Sequence, residues 1–428
     1  MNSSSDTAPC YRPEGWTHWP AHPAWSQQFV RILGAAQEGA ATVGECLLAA
    51  SRMVPGDASS WHREWQRMAE ENARRADAAL AVGHAATARA HHLRASNYHR
   101  VSELFLAPDD TRRRATFAEV VRHSHAHLRL MSPPGEVVSI EFGDGQTLDA
   151  YLLKPSSASL AHRPPVVIAF GGLDGCKDEM VQRMASAALA RGLALLVVDM
   201  PGQGEALRFR GMSNHSDTTT PVARCIDHLQ ARGDVDGERI ALYGASLGGV
   251  YSARAASGET RLKAVVSDSL IFDLHAAFAY RLAADGDSGD WCFLQWVFGC
   301  ESPADVVEKS RQFGMVDVLP LIRCPYLIVQ GAHDFLGLQT ALDAFDCAKQ
   351  AGVPVELRVF DAEETGASHC QADNPTIGQA FICDWLADRL GAGRAQAGGQ
   401  PWTAAGQLLA KAPWLTSEVP TQHARSAA

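Results

Sequence analysis

The sequence predicts an α/β protein: a mostly parallel sheet covered by helices on both faces, preceded by an all-helical cap region. Three observations predict it. Up to about residue 134, apolar residues recur at three- and four-residue spacing and no stretch reads as a strand. Past Pro133-Pro134-Gly135, short continuous apolar runs alternate with helical stretches. One of these runs leads into Gly244-Ala245-Ser246-Leu247-Gly248, a sharp turn between a strand and a helix.

The elements follow in order. Residues 1–24, rich in Pro, Trp, His and Ser, read as an irregular arm. From Ala24 to Leu106 the pattern is helical: Phe29, Ile32 and Leu33 form one stripe, and Val43, Cys46, Leu47 and Ala50 a second. Asp57, Ser59 and Ser60 can cap a longer helix carrying Trp61, Trp65 and Met68, which Gly83 ends. A further helix runs from Ala86 to Leu106, and a last one carries Phe117, Val120, Val121 and Leu128. These make a cap domain over residues 1–132.

A hairpin opens the second domain, residues 133–395, with Val137–Phe142 and Leu148–Leu153 flanking Gly143-Asp144-Gly145. Val166–Phe170, Ala194–Val198, Arg239–Tyr243, Lys263–Ser267, Tyr326–Val329 and Val355–Phe360 read as strands. Met180–Ala190, Thr220–Arg232 and Gly248–Ala256 read as helices, with two more starting near Thr340 and Thr376. Residues 271–322 break the alternation with helical character, an insertion placed to shape a pocket. Residues 396–428 form a tail with one short amphipathic piece, Trp402–Leu415.

Composition narrows the class. Apolar residues make up 46% and charged residues 20% of 428, ordinary for a globular protein with a real core. A net charge of −10 argues against nucleic acid and anionic membrane as partners. No apolar run is long enough to span a bilayer, and Met1–Asp6 does not open a secretory signal. The ten cysteines are scattered without zinc-type spacing, which fits reduced thiols in a cytoplasmic protein. The expected partners are a small-molecule substrate and a second copy of the chain, with no cofactor and no metal.

The chemistry centres on Ser246. A serine between glycines on a strand-to-helix turn stands above the sheet edge, where a base reaches its hydroxyl. Asp334 follows the strand Tyr326–Val329 and a glycine turn, and His369 lies in the loop after the last strand. The order Ser246, Asp334, His369 is that of the α/β-hydrolase fold. His369 would take the serine proton, and Asp334 would hold its tautomer. Asp361 and Glu363 compete for the acid, and His333 for the base. The oxyanion hole needs two amides: Leu247, and either Gly172 or Leu173 in Phe170-Gly171-Gly172-Leu173-Asp174-Gly175. The run His123-Ser124-His125-Ala126-His127 is read as non-metal, because alternate residues of a helix point to different sides. Cys176 and Cys370 are read as buried spectators. The polar run Arg94–Arg100 is either a solvated face or a pocket roof that brings Asn97 and Tyr98 to the substrate.

These residues carry a resemblance. The pairs Ser60-Trp61 with Trp65, Arg94–Tyr98 with Arg100, Gly171–Asp174, Asp199-Met200-Pro201-Gly202-Gln203-Gly204-Glu205 and Gly244–Gly249 resemble α/β hydrolases with an N-terminal helical cap. The group includes 2,6-dihydroxypseudooxynicotine hydrolase, the fungal hydrolases that shorten the heptaketide naphthopyrone chain, and the fermentation-respiration switch esterase-like proteins. The resemblance implies a triad at Ser246, Asp334 and His369, and a site between cap and sheet. It further implies hydrolysis of a small aromatic or polyketide-like acyl compound, by cleavage of a carbon–carbon bond next to a ketone or of an ester or thioester. A silent binding protein on the same scaffold is the reading from another class. An additional acid, at Asp268 or Asp273, and a substrate contact at Asp174 belong to the same expectation. The family usually has a small residue where Met200 stands, which implies a different pocket shape there.

Overall fold

The structure is a computed structural model that describes residues 18–143, 145–159, 162–286 and 291–392. Most of the arm, Asp144 of the hairpin and the piece Trp402–Leu415 lie outside the described residues.

Five helices open the chain: α1 (Pro23–Gly34), α2 (Val43–Ala50), α3 (Ala58–Ala81), α4 (Ala85–Ser102) and α5 (Arg112–Arg129). Asp57 caps α3 by accepting from the Ser59 amide at 2.9 Å. Ser60 does something else, taking the Val54 amide at 2.7 Å. The interior of this bundle is aromatic. Trp19, Trp25, Phe29, Trp61, Trp65 and Tyr98 are buried together, and the Trp61 indole donates to the Val101 carbonyl at 2.8 Å.

The sheet has eight strands: β1 (Glu136–Gly143), β2 (Gln146–Leu153), β3 (Pro165–Phe170), β4 (Ala194–Val198), β5 (Asp236–Ala245), β6 (Ala264–Asp268), β7 (Tyr326–Gly331) and β8 (Val355–Phe360). Their order is β1-β2-β4-β3-β5-β6-β7-β8. The pairings β1/β2 and β2/β4 are antiparallel and the rest parallel. Every residue of β3, β4, β6 and β7 is buried, as continuous apolar runs require when helices cover both faces. β1, at one edge, alternates exposed and buried positions over much of its length.

The helices of this part are α6 (Lys177–Ala190), α7 (Gly204–Arg208), α8 (Thr219–Gln230), α9 (Leu247–Gly258), α10 (Leu274–Asp285), α11 (Trp291–Phe298), α12 (Pro303–Ser310), α13 (Leu338–Gln350) and α14 (Pro375–Leu390). The insertion is α10, α11 and α12; Phe272, Phe278, Phe293 and Trp296 pack from it against the main core while remaining partly exposed. Met200 is buried in that same core. Among the described residues no helix is long and apolar enough to cross a membrane.

The helical region and the sheet belong to one compact unit. The change at residue 132 is therefore one of architecture, not a break in packing. Polar bonds join the two parts: Gln182 on α6 donates to Asn97 on α4 at 3.1 Å, and Arg31 on α1 pairs with Glu179 on α6 at 2.6 Å.

Candidate active site

β5 lies at mid-sheet, between β3 and β6, and delivers Ser246 to the carboxyl edge. Ser246 has φ 59° and ψ −122°, a conformation that costs a non-glycine residue about 1–3 kcal/mol. The turn is tight enough that a Cβ at Gly244 would strike the Gly248 carbonyl, and one at Gly248 the Gly171 carbonyl. The Ser246 amide is fixed by donating to the Asp268 carbonyl at 2.7 Å. α9 begins at Leu247, so the Leu247 amide has no acceptor within its own helix.

Three side chains form one hydrogen-bonded chain. The Ser246 hydroxyl lies 2.9 Å from Nε2 of His369, and Nδ1 of His369 lies 2.9 Å from both carboxylate oxygens of Asp334. Asp334 also takes the Leu336 amide at 2.9 Å, which locks its carboxylate. Burial works against a charged His369, and the Cys370 sulfur and the Asp334 carboxylate more than reverse this, so its pKa is raised well above the ordinary histidine value. The competitors have other partners. Asp361 takes the amides of Glu363 and Glu364 in a turn, and Asp273 caps α10 through the Ala276 amide. The backbone N–H of His333 donates to the Ala367 carbonyl, on the loop that leads to His369.

The loop after β3 stands against Ser246. A Cβ on Gly172 would lie 2.7 Å from the Ser246 Cβ and 3.1 Å from its hydroxyl oxygen, so only glycine permits this approach. Gln203, in the loop after β4, donates through Nε2 to the Gly171 carbonyl at 2.6 Å and the Gly172 carbonyl at 3.0 Å. In a trans peptide the next N–H points opposite to the carbonyl. Gln203 thereby turns the amides of Gly172 and Leu173 away from itself. The two loops are pinned further by Asp199, which takes the Lys177 amide at 2.6 Å and the Glu205 amide at 2.8 Å. A Cβ on Gly204 would collide with that carboxylate. Sequence reasoning quoted this run but missed the Gln203 clamp.

The structure corrects the wider pocket reading. Tyr98 does not face a pocket: it stacks on Trp65, donates its hydroxyl to Glu45 at 2.9 Å and is fully buried in the helical core. Asn97 donates to the Ala40 carbonyl and accepts from Gln182, so it joins α4 to α6. The run Arg94–Arg100 is thus neither a solvated face nor a roof over its last four residues, all of which are buried among polar partners. Asp174 is bound by Arg31 at 2.7 Å; burial would raise its carboxyl, and the guanidinium overrides this to bring it to about 2. Asp268 is fully buried; its carboxylate accepts from Tyr243 at 2.8 Å, Arg183 at 3.0 Å and Gln371 at 3.0 Å. Arg183 also donates to the Cys370 carbonyl at 2.7 Å, next to His369. These contacts make Asp268 a support of the elbow and of the histidine loop. Cys176 is buried beside Phe117 and Val120, and Cys370 is buried as well. One exposed residue escaped sequence reasoning. Phe335, 64% exposed, lays its ring 4.5 Å from that of His369.

With this geometry in place, comparison with known proteins decides the family. Residues 52–282 match the family described as Esterase FrsA-like, more than half of the chain. The chain belongs to the FrsA-like α/β hydrolases. Residues 180–393 of the hydrolase also match the Prolyl oligopeptidase family. It is 32% identical to Hydrolase LUC6 of Fusarium sp over 81% of this chain and 91% of that one. It is likewise 32% identical to 20-hydroxy-prefusarin hydrolase FUS2 of Gibberella moniliformis, over 72% of this chain and 82% of that one. Among solved structures, 2,6-dihydroxy-pseudo-oxynicotine hydrolase superposes with a TM-score of 0.70 at 25% identity, over 83% of this chain and 95% of that one.

Proposed function

We propose that this hydrolase cleaves a small aromatic or polyketide-like acyl compound with Ser246, His369 and Asp334 as its catalytic triad, breaking a carbon–carbon bond next to a ketone. The observation that carries the triad is the 2.9 Å contact of the Ser246 hydroxyl with His369 Nε2, on an elbow held at positive φ. The substrate class rests on the likeness to 20-hydroxy-prefusarin hydrolase and to 2,6-dihydroxy-pseudo-oxynicotine hydrolase.

In this reading Ser246 attacks the ketone carbonyl while its proton passes to Nε2 of His369. The oxyanion is held by the Leu247 amide and by that of Gly172 or Leu173. The bond from the carbonyl carbon to its neighbouring carbon breaks, its electron pair spreads into an electron-accepting ring system, and His369 returns the proton to that carbon. Water, deprotonated by His369, then frees the acid from Ser246. Esterase action needs the same parts and an easier leaving group, and the FrsA-like match favours it as the second reading.

Turnover of aryl β-diketones should be measured beside that of p-nitrophenyl esters. Diketone cleavage that disappears in Ser246→Ala is the expected result, and ester turnover alone would leave only the second reading. The Gln203 clamp gives its own prediction. Gln203→Leu frees the Gly171 carbonyl, leaves that of Gly172 to the Gly175 amide alone and lets the donor loop drift, which should lower kcat by about 10- to 100-fold with little change in KM. A kcat within twofold of the parent would remove Gln203 from the machinery.

A further inference from the structure

α4 and α5 enclose a set of imidazoles that the proposed reaction does not use. His92, His99 and His123 are buried between the two helices. One ring nitrogen each of His99 and His123, and a carboxylate oxygen of Glu119, lie within 4.8 Å of one another. The histidine run on α5 contributes one residue to this set: His123 faces α4, while His125 sits against Tyr151 at 5.5 Å. The other imidazole comes from a different helix, which a reading of the run alone does not reach.

The hydrogen bonds fix which nitrogens hold lone pairs. Arg122 lies 2.8 Å from Nε2 of His123, and a guanidinium only donates, so this nitrogen accepts. The His123 proton is then on Nδ1, which donates to Nδ1 of His92 at 2.9 Å. His99 donates from Nδ1 to the Gln66 side-chain oxygen at 3.0 Å, which leaves its Nε2 unprotonated. Burial supports the neutral rings, pushing the pKa of His99 down to about 4 and that of His123 to about 3. His99 and His123 therefore each have one nitrogen pinned by a second partner and a lone pair on the other, that of His123 taken up by Arg122. That is how metal-ligating histidines are held.

A cation already occupies the mouth of this set. The Arg122 guanidinium bridges Glu119 at 2.6 Å and His123 at 2.8 Å, from a side chain that is 56% exposed. An exposed ion pair of this kind is weak and easily withdrawn. Glu119, partly exposed on the same helix turn, already holds a carboxylate oxygen 3.9 Å from Nε2 of His123. Tetrahedral zinc, with bonds of about 2.0 Å, needs its ligand atoms about 3.3 Å apart.

We propose that His99, Glu119 and His123 form a binding site for a divalent ion of the zinc class, bridging α4 and α5, with Arg122 as its internal competitor. Two imidazoles and one carboxylate supply three ligands, and water completes the shell. The ion would tie the two helices together.

The test is a calorimetric titration of metal-stripped, full-length protein with zinc chloride, run on the parent and on single variants. The parent should take up one saturable equivalent. Glu119→Gln, at a partly exposed position where the fold is not at risk, should weaken that equivalent by about tenfold or more, as should His99→Gln. Arg122→Met should tighten it. Because cysteines elsewhere can hold zinc, the variants decide. No saturable equivalent in either the parent or Arg122→Met would overturn the proposal. So would an equivalent that Glu119→Gln leaves unchanged in a protein whose circular dichroism matches the parent.

Discussion

Ser246→Ala should lower kcat by on the order of 10,000-fold or more, against a small residual rate from the oxyanion donors and substrate binding. The size follows from what the hydroxyl does. In the proposed mechanism it is the atom that forms a bond to the substrate carbonyl, so its loss removes the covalent route. Substrate affinity should change little, because the substitution removes one oxygen beside Gly172 and adds nothing. Labelling by a fluorophosphonate probe, compared between parent and variant, reads the same residue without a substrate. Equal labelling in both would place the nucleophile elsewhere and end the proposed mechanism.

Asp334→Asn should cost about 10,000-fold in kcat as well, for a different reason. Asp334 accepts from Nδ1 of His369, and this leaves Nε2 free to accept from Ser246. An asparagine amide can donate to Nδ1 instead, which moves the ring proton to Nε2 and makes it a donor toward the serine. The substitution also has a pH signature. As the proposed base, His369 would work only when neutral, and its pKa is raised above 6.5 by Cys370 and Asp334 against the effect of burial. Activity should therefore rise with pH through a midpoint above 6.5 and be lost as pH falls through it. Removing the Asp334 charge lowers the pKa, so the residual activity of the variant should have its acid limb at lower pH. A kcat/KM profile whose acid limb stays where it was would show that Asp334 does not govern His369.

The sequence exposes some of this architecture and hides the rest for physical reasons. The elbow is legible because its pattern is compact: Gly244 is required by an atom of the same turn, the Gly248 carbonyl, although Gly248 is required by the Gly171 carbonyl of the loop after β3. The buried strands are legible because their apolar runs are continuous. Asn97 and Tyr98 mislead, since a polar run on a helix reads as a solvated face or a pocket roof until its partners on α2 and α6 are known. The Gln203 clamp is hidden because a glutamine announces nothing about which carbonyls it meets, and these lie more than thirty positions upstream. α7 is hidden because five residues are too few to show a helical period. His99 and His123 come together only when α4 and α5 pair.

Asp268 bears on how accurately the enzyme can be assembled. Ser246 and His369 are 123 positions apart, and their separation could have inherited the positional error of every element between them. Asp268 shortens that chain of errors. Its backbone carbonyl receives the Ser246 amide, while its carboxylate receives Gln371 and Arg183, and Arg183 reaches the Cys370 carbonyl. Ser246 and His369 are dimensioned from one shared datum. The tolerance on the gap between them is set by a few short bonds at Asp268, together with the Asp334 carboxylate that holds the His369 ring.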